Sequence, residues 1–390
     1  MNNHYAKFAS ANKEEYLKTL KTLISIPSPS YKEKEIACMI KDFLEREAEA
    51  HACPDVPIIM DDIGNVYCEI CGDLKQGDGC MAFCAHTDTV FPDFGTEIPF
   101  REEDGRLYGL GAKDNCANVC ALMFCIKYIF ENHITPVENL LFIFDVCEEG
   151  LGNLRGSRRI FEKYPAIKQF IAFDLDYGTV FDRAVGSERY EVRVSVQGGH
   201  AFRDFGNKNA IQIMSEIIQE FYHIDTAELE GKTTYNVGTI EGGTSVNAIA
   251  QECTALFEWR SDSEKSGNHI RQIFDTILER EEKKCEGKAV LKKTRIGLRP
   301  SMGVFTDENQ KLHSDMTARI AGIIKDVAGI TPSLSPGSTD CNIPLSKGIP
   351  AVCTGTCLGQ GEHTREEYVE ISSLEKGLII ALETVLGDLY

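Results

Sequence analysis

The sequence predicts an α/β fold in which a mostly parallel sheet is interrupted by a small inserted domain. Three observations predict it. Strand-length apolar runs such as Leu140 to Val146 are hydrophobic on both faces, as strands of a covered parallel sheet are. Segments of helical period separate those runs, which is the alternation that builds such sheets. Near Gly186 the rhythm changes to half-exposed strands in the order β-α-β-β-α-β, the split-βαβ or ferredoxin-like pattern. The implied division is 1–185 for the first part of the larger domain, 186–299 for the insert and 300–390 for the return of the larger domain.

The elements follow in order. Lys13 to Ile26 reads as a helix ended by Pro27 and Pro29, which cannot continue it. Ser30 stands three residues before Glu33, a capping-box spacing that opens a second helix towards Glu47. Met81 to Ala85 is a strand, Ala117 to Glu131 a helix, Leu140 to Val146 a strand, Ile160 to Tyr164 a helix and Phe170 to Phe173 a strand. In the insert, Tyr190 to Val196 alternates polar and apolar residues as a strand with one wet face does. Helix Ala210 to His223, strands Thr233 to Ile240 and Cys253 to Arg260, helix Gly267 to Lys284 and strand Ala289 to Ile296 complete it. The larger domain returns with helices Asp307 to Ala328 and Ser373 to Leu386 and the strand Ala351 to Thr354.

Composition excludes several classes. Sixty acidic residues against 41 basic ones give a net charge of −19. Such a chain repels phosphate backbones and anionic lipid surfaces, so neither nucleic acid nor membrane is an expected partner. The longest apolar stretch, Val119 to Ile126, is far short of the ~20 residues of a membrane span. The first twenty residues carry no apolar core or small-residue cleavage site of a secretory leader. Fifteen cysteines, an odd number scattered through strands and helices, suit a reducing cytoplasm better than a disulfide scaffold. Cys68 and Cys71 form a C-x-x-C pair with no second pair at zinc-ribbon spacing, and the pair reads as structural or incidental.

Chemistry is suggested where apolar strands end. No phosphate loop, G-x-S-x-G elbow or H-E-x-x-H helix is present. His86 and Asp88 follow the strand Met81 to Ala85, two residues apart and hence on one face. Asp88 can orient the His86 ring for a metal, although H-x-D alone also fits an ordinary polar strand terminus. Asp114 lies in a Gly-rich loop running into a helix, where it can be a helix N-cap or a carboxylate that bridges two cations. Glu148 and Glu149 follow a buried strand; adjacent carboxylates there repel unless they face solvent or cations. Asp174 and Asp176 end the next strand on one face, and His363 lies in a Gly-rich loop after Ala351 to Thr354. Each position has a bland explanation, but the ends of successive parallel strands converge on the crevice where such sheets bind ligands.

Taken together, AHTDTV, LGAKDN, EEGLG, the strand-end Asp and GEHT resemble the ordered motifs of the co-catalytic di-zinc metallopeptidases. That family includes peptidase T, carboxypeptidase G, the aminoacylases and the succinyl-diaminopimelate desuccinylases. EEGLGNLRGSR, VGSERYEV and GGHAF are most similar to the tripeptidase side of the family. The resemblance implies a zinc-exopeptidase-like catalytic domain with the insert as a lid and dimerisation domain. It implies that Asp114 bridges two Zn2+ ions, with His86 and a strand-end Asp on one and Glu149 and His363 on the other. Of the two strand-end residues, Asp176, which precedes Tyr177-Gly178, fits the family's turn better than Asp174 does. The resemblance further implies Glu148 as general base, Asp88 as the residue that orients His86, and a cis peptide bond at Asp114-Asn115. His200 matches a residue that reaches a partner subunit's site in dimeric members and stabilises the oxyanion. Asn247, Arg260 and Ser338, the last in the loop Gly337 to Asp340, match substrate-contact positions.

The expectation is therefore a cytoplasmic, homodimeric metallo-exopeptidase, an aminopeptidase acting on di- and tripeptides. The alternatives are an N-acyl-amino-acid deacylase or carboxypeptidase with the same centre, and a non-catalytic binding protein of the same fold. Mixed His and carboxylate ligands accept Co2+ or Mn2+ as well as Zn2+.

Overall fold

The computed structural model describes residues 3–70, 79–91 and 99–387. The chain forms two compact units, one of Met1–Ala184 with Gly303–Tyr390 and the other of Val185–Met302.

The first unit is built on an eight-stranded sheet. Its order is Ile58–Met60, Val66–Ile70, Asn139–Asp145, Cys80–His86, Ile167–Phe173, Ala351–Thr354, Thr179–Ala184 and Ser333–Gly337. The four central strands from Asn139–Asp145 to Ala351–Thr354 are mutually parallel. Antiparallel strands Ile58–Met60 and Val66–Ile70 extend one side, and Thr179–Ala184 joins the other side antiparallel to Ala351–Thr354. All seven residues of Cys80–His86 are buried, which is why that run carries no polar alternation.

Helices cover this sheet. Ala117–Glu131 is buried from Ala117 to Phe130 and packs against Lys13–Ile24, Lys34–Ala50 and Ile371–Leu386. Its one cation, Lys127, is tolerated because Nζ lies 2.8 Å from Glu15 and 3.2 Å from Glu47. Phe124, fully buried, meets the rings of Tyr16 and Phe43 at 5.0 and 5.8 Å; truncation to Ala there costs about 3–5 kcal/mol.

The second unit has an antiparallel sheet in the order Thr233–Gly242, Glu252–Ser261, Gly186–Val196, Ala289–Arg299. Helices Ala210–Phe221 and Glu264–Lys284 pack on this sheet. The two-residue period decides which side chains they bury: Tyr190, Val192 and Val194 from one strand, Cys253, Ala255, Phe257 and Trp259 from its neighbour. Asn209 and Ser263 cap the two helices, each accepting backbone N–H bonds through its side chain.

Several elements escape the sequence pattern. Helix Asn3–Ala11, the hairpin Phe100–Glu103 and Arg106–Gly109, and the flanking strands Ile58–Met60, Val66–Ile70, Thr179–Ala184 and Ser333–Gly337 are short or mixed in polarity. The expected capping box is absent. Glu33 is itself the N-cap of Lys34–Ala50, with no side-chain cap bond, and Ser30 is used elsewhere. Cys71 lies outside the described residues, so the C-x-x-C pair is left with Cys68, which is buried. Fourteen described cysteines are free thiols.

Candidate metal centre

Parallel pairing levels the strand ends that carry the site. His86 is in register with Asp145 and Phe173 with Thr354, so His86, the Val146-to-Glu149 turn and Asp174 emerge from one edge of the sheet. Asp114 comes to them from the irregular turn Ala112–Cys116, with φ −117° and ψ 81°, and the Asp114-Asn115 peptide bond is cis.

Asp114 presents one oxygen to each of two imidazoles. Its Oδ1 lies 3.0 Å from His86 Nε2 and its Oδ2 3.2 Å from His363 Nε2. Asp174 Oδ1 is 3.6 Å from the same His86 nitrogen, and Glu149 Oε1 is 3.0 Å from His363 Nε2. Two ligand sets result: His86, Asp114 and Asp174, and Asp114, Glu149 and His363. His86 Nε2, Asp114 Oδ1 and Asp174 Oδ1 are buried without a hydrogen-bond partner. Buried polar atoms are normally satisfied, so three that converge on one point fit a cation.

The electrostatics agree. Burial raises the Glu149 carboxyl above its usual value, and the neighbouring Asp114 charge adds to this. For His86, burial opposes protonation, but Asp114, Asp174 and Asp88 overcome it and hold the ring well above its ordinary value. Asp114 and Glu149 push His363 up to about 10. In the metal-free protein the carboxylates thus draw positive charge onto the two imidazoles, charge that a bound cation would supply in its place.

Asp88 braces the centre. Fully buried, it accepts a 2.6 Å bond from Ser30 Oγ and bonds of 2.9 and 3.0 Å from the N–H groups of Glu148 and Glu149. Its Oδ1 lies 3.5 Å from His86 Nδ1, while its backbone oxygen is 3.1 Å from that nitrogen. Burial alone would raise this carboxyl, but its contacts with His86 and Ser30 bring it below the usual range. Glu33 secures the same turn by accepting the Cys147 N–H at 3.0 Å. The Ser30–Glu33 spacing therefore serves the site rather than a helix cap.

Asp176 is not where the sequence places it. It lies outside both ligand sets, 2.8 Å from Lys113 Nζ, and Asp174 takes the position beside His86. Leu175, at φ 61°, turns the chain between the two and defeats the same-face argument, which assumes that extended strand continues. Sequence reasoning also missed Glu367. Its carboxylate accepts the N–H groups of Gly111, Lys113 and Asp114 at 3.1, 2.8 and 2.9 Å and so holds the turn that presents Asp114. Burial pushes its carboxyl up to about 8 even against those donors. Its position four residues after His363 was the available signal. Glu148 is 4% exposed, and its carboxylate groups with His86 and Glu149.

Ser338 is half-buried in the first unit, after strand Ser333–Gly337. In the second unit, His200 and Asn247 are exposed, and the Ala201 N–H donates to the Asn247 carbonyl at 3.0 Å. His200 Nδ1 accepts from Phe202 N at 3.3 Å. Arg260 sits on Glu252–Ser261 and donates to Glu258, which Arg189 also holds.

This fold, with two adjoining sets of His and carboxylate groups, is that of the co-catalytic, amide-hydrolysing metallopeptidases. The profile of peptidase family M20/M25/M40 matches residues 82–386, and the chain belongs to that family. YqjE of Bacillus subtilis (strain 168), described as an uncharacterized protein, is 25% identical over 374 residues, 94% of this chain and 96% of its own. An acetylornithine deacetylase of Myxococcus xanthus is 25% identical over 316 residues, 78% of each chain. In fold, the chain is similar to aminopeptidase PepT from Bacillus cereus ATCC 10987, with a TM-score of 0.72 at 22% identity, over 96% of this chain and 98% of that one.

Proposed function

We propose that this protein is a di-zinc aminopeptidase that releases amino acids from di- and tripeptides. The observation that carries the metal assignment is the trio of buried, unpartnered atoms on His86, Asp114 and Asp174. His86 and Asp174 would hold one ion and Glu149 and His363 the other, with one Asp114 oxygen for each. Divalent ions bound there would supply Lewis-acid polarisation of the scissile carbonyl and make a water acidic enough to lose a proton near neutral pH. Glu148, buried and next in sequence to Glu149, would accept the proton of the attacking water at a carboxylate oxygen. It then returns the proton to the departing amine. Asp88 holds the Glu148 and Glu149 backbones still during both transfers. The strand-end ligand in this proposal is Asp174; Asp176 is left to its ion pair with Lys113.

His200, Asn247, Arg260 and Ser338 are assigned to the oxyanion and to substrate contact on the sequence resemblance alone. A homodimer formed through the second unit and a cytoplasmic location belong to the same proposal, the latter supported by the free thiols.

A second reading, hydrolysis of N-acyl amino acids, is favoured by the acetylornithine deacetylase relative. Digesting a peptide mixture and comparing a tripeptide with its N-acetylated form, both read by mass spectrometry, separates the two. Cleavage of the free-amine peptide alone is expected; cleavage of the acetylated form alone overturns the aminopeptidase reading. Metal analysis after gentle purification is expected to find two ions per chain, and fewer than about one favours a non-catalytic binding protein. The Glu148→Gln variant should keep both ions and lose at least ~100-fold in rate. Full activity in that variant refutes the assignment of the base.

A further inference from the structure

Five side chains make up the proposed ligand set, and four of them are rigidly enclosed. His86, Asp114, Asp174 and Glu149 side chains are 1, 7, 9 and 9% exposed, whereas His363 is 54% exposed. His363 also sits at φ 61°, a left-handed conformation that a residue with a Cβ keeps only when its surroundings impose it. What imposes it is not a core, because residues 363–366 are exposed. The local turn is closed by the pairing of Gly359–Gln360 with Tyr368–Glu370 and by Thr364, whose N–H and Oγ1 donate to Gly361 O at 3.0 and 2.7 Å. Glu367 N–H donates to Thr364 O at 3.3 Å, and none of these bonds reaches the His363 side chain.

The remaining restraint is ionic: His363 Nε2 meets Asp114 and Glu149, Arg101 holds the exposed Glu366 at 2.7 Å, and Lys113 holds Glu362, the residue next to His363. Lys113 is 3% exposed, and its ammonium is paired with both Glu362 and Asp176, the latter at 2.8 Å. These partners are placed informatively along the chain. Lys113 precedes Asp114, Glu362 precedes His363, and Asp176 follows Asp174 by two residues. One ammonium therefore touches the three segments that carry three ligands. At the other end of the same loop, Glu367 grips the backbone of Gly111, Lys113 and Asp114. The loop is thus held at its base by Glu367 and near its tip by Glu362. Without the ammonium, Glu362 and Asp176 would face each other as two unbalanced carboxylates and drive the tip away.

We propose that Lys113 is a positioning residue that clasps the His363 loop to the Asp114 turn, so that the Asp114–Glu149–His363 half of the centre keeps its geometry only while Lys113 is paired. The proposal rests on the metal-centre reading above. It predicts a selective defect, because the His86–Asp114–Asp174 half is enclosed without help from Glu362.

The test is stepwise Co2+ binding to metal-free protein, followed by calorimetry and by metal analysis after dialysis. Wild-type protein should take up two ions. Lys113→Met should weaken one binding step by about 10–100-fold, as loss of a group that orients a ligand typically does. The weakened step should be the one that His363→Ala abolishes, and Lys113→Arg should restore most of it. If Lys113→Met does not fold, as judged by circular dichroism, Glu362→Gln serves instead, since it opens the clasp and leaves the Lys113–Asp176 pair intact. It should weaken the same step. Wild-type affinity for both ions in whichever of these variants folds overturns the proposal, as does equal weakening of both steps. Uptake of fewer than two ions by the wild type overturns the metal-centre reading, and the clasp with it.

Discussion

Replacing Asp88 by Asn tests the brace on which the centre depends. The change is nearly isosteric, so any effect comes from charge and hydrogen bonding. Asp88 Oδ2 accepts from Ser30 Oγ and Glu149 N, and Oδ1 accepts from Glu148 N. Asn has a single acceptor oxygen. Its best placement keeps the two donors on the Oδ2 side and turns its own –NH2 towards the Glu148 N–H. One charge-assisted bond is then lost and a buried donor is orphaned, which costs about 2–3 kcal/mol. Part of this is offset because a buried negative charge leaves a site crowded with carboxylates. Metal affinity should fall about 10–100-fold, since the turn that carries Glu149 loses its bond at Glu148 and the His86 ring loses the carboxylate charge 3.5 Å from Nδ1. Urea unfolding in chelator measures the first quantity and equilibrium dialysis against Zn2+ the second. An Asp88→Asn protein as stable as wild type and with equal metal affinity would refute the argument that Asp88 positions these groups.

Three further outcomes are expected. Asp174→Asn should lose an ion and at least ~100-fold in kcat/KM, whereas Asp176→Asn should keep the ion of the His86 half; the reverse pattern restores Asp176 as ligand. Glu367→Gln turns an –NH2 towards one of the three N–H groups at Gly111 to Asp114, and should reduce metal affinity about 10-fold, measured by competition with a chelator. In metal-free protein, His363 is raised to about 10 by Asp114 and Glu149. A group raised on folding stabilises fully below its unfolded value and loses that contribution as pH climbs towards the folded one. Urea midpoints in chelator should therefore fall between about pH 6.5 and 8, before thiols titrate, and fall less in His363→Ala. A midpoint that rises over this interval contradicts the imidazolium–carboxylate pairing.

Much of this molecule is decided by local pattern. The apolar run Leu140 to Val146 has no polar face to present, so it has to be a strand covered on both sides, and polar residues just beyond it have to lie at the sheet edge. The same reasoning marks His86, Asp88, Glu148, Glu149 and the Asp174–Asp176 pair from sequence alone, and alternation marks the strands of the second unit. The rest depends on contacts that no spacing encodes. Asp174 displaces Asp176 because the chain turns at Leu175 and because Lys113, more than sixty residues earlier, supplies a cation for Asp176. Ser30 and Glu33 have the spacing of a helix cap, yet donors and acceptors from Asp88 and Cys147 compete for them and win. Glu367 looks like one acidic residue among sixty until three backbone N–H groups are found aimed at it. Periodicity reports which side of an element is dry, a short-range property. Which polar partner satisfies which buried group is a long-range choice, made only when the chain has folded and each unsatisfied donor or charge must find its match.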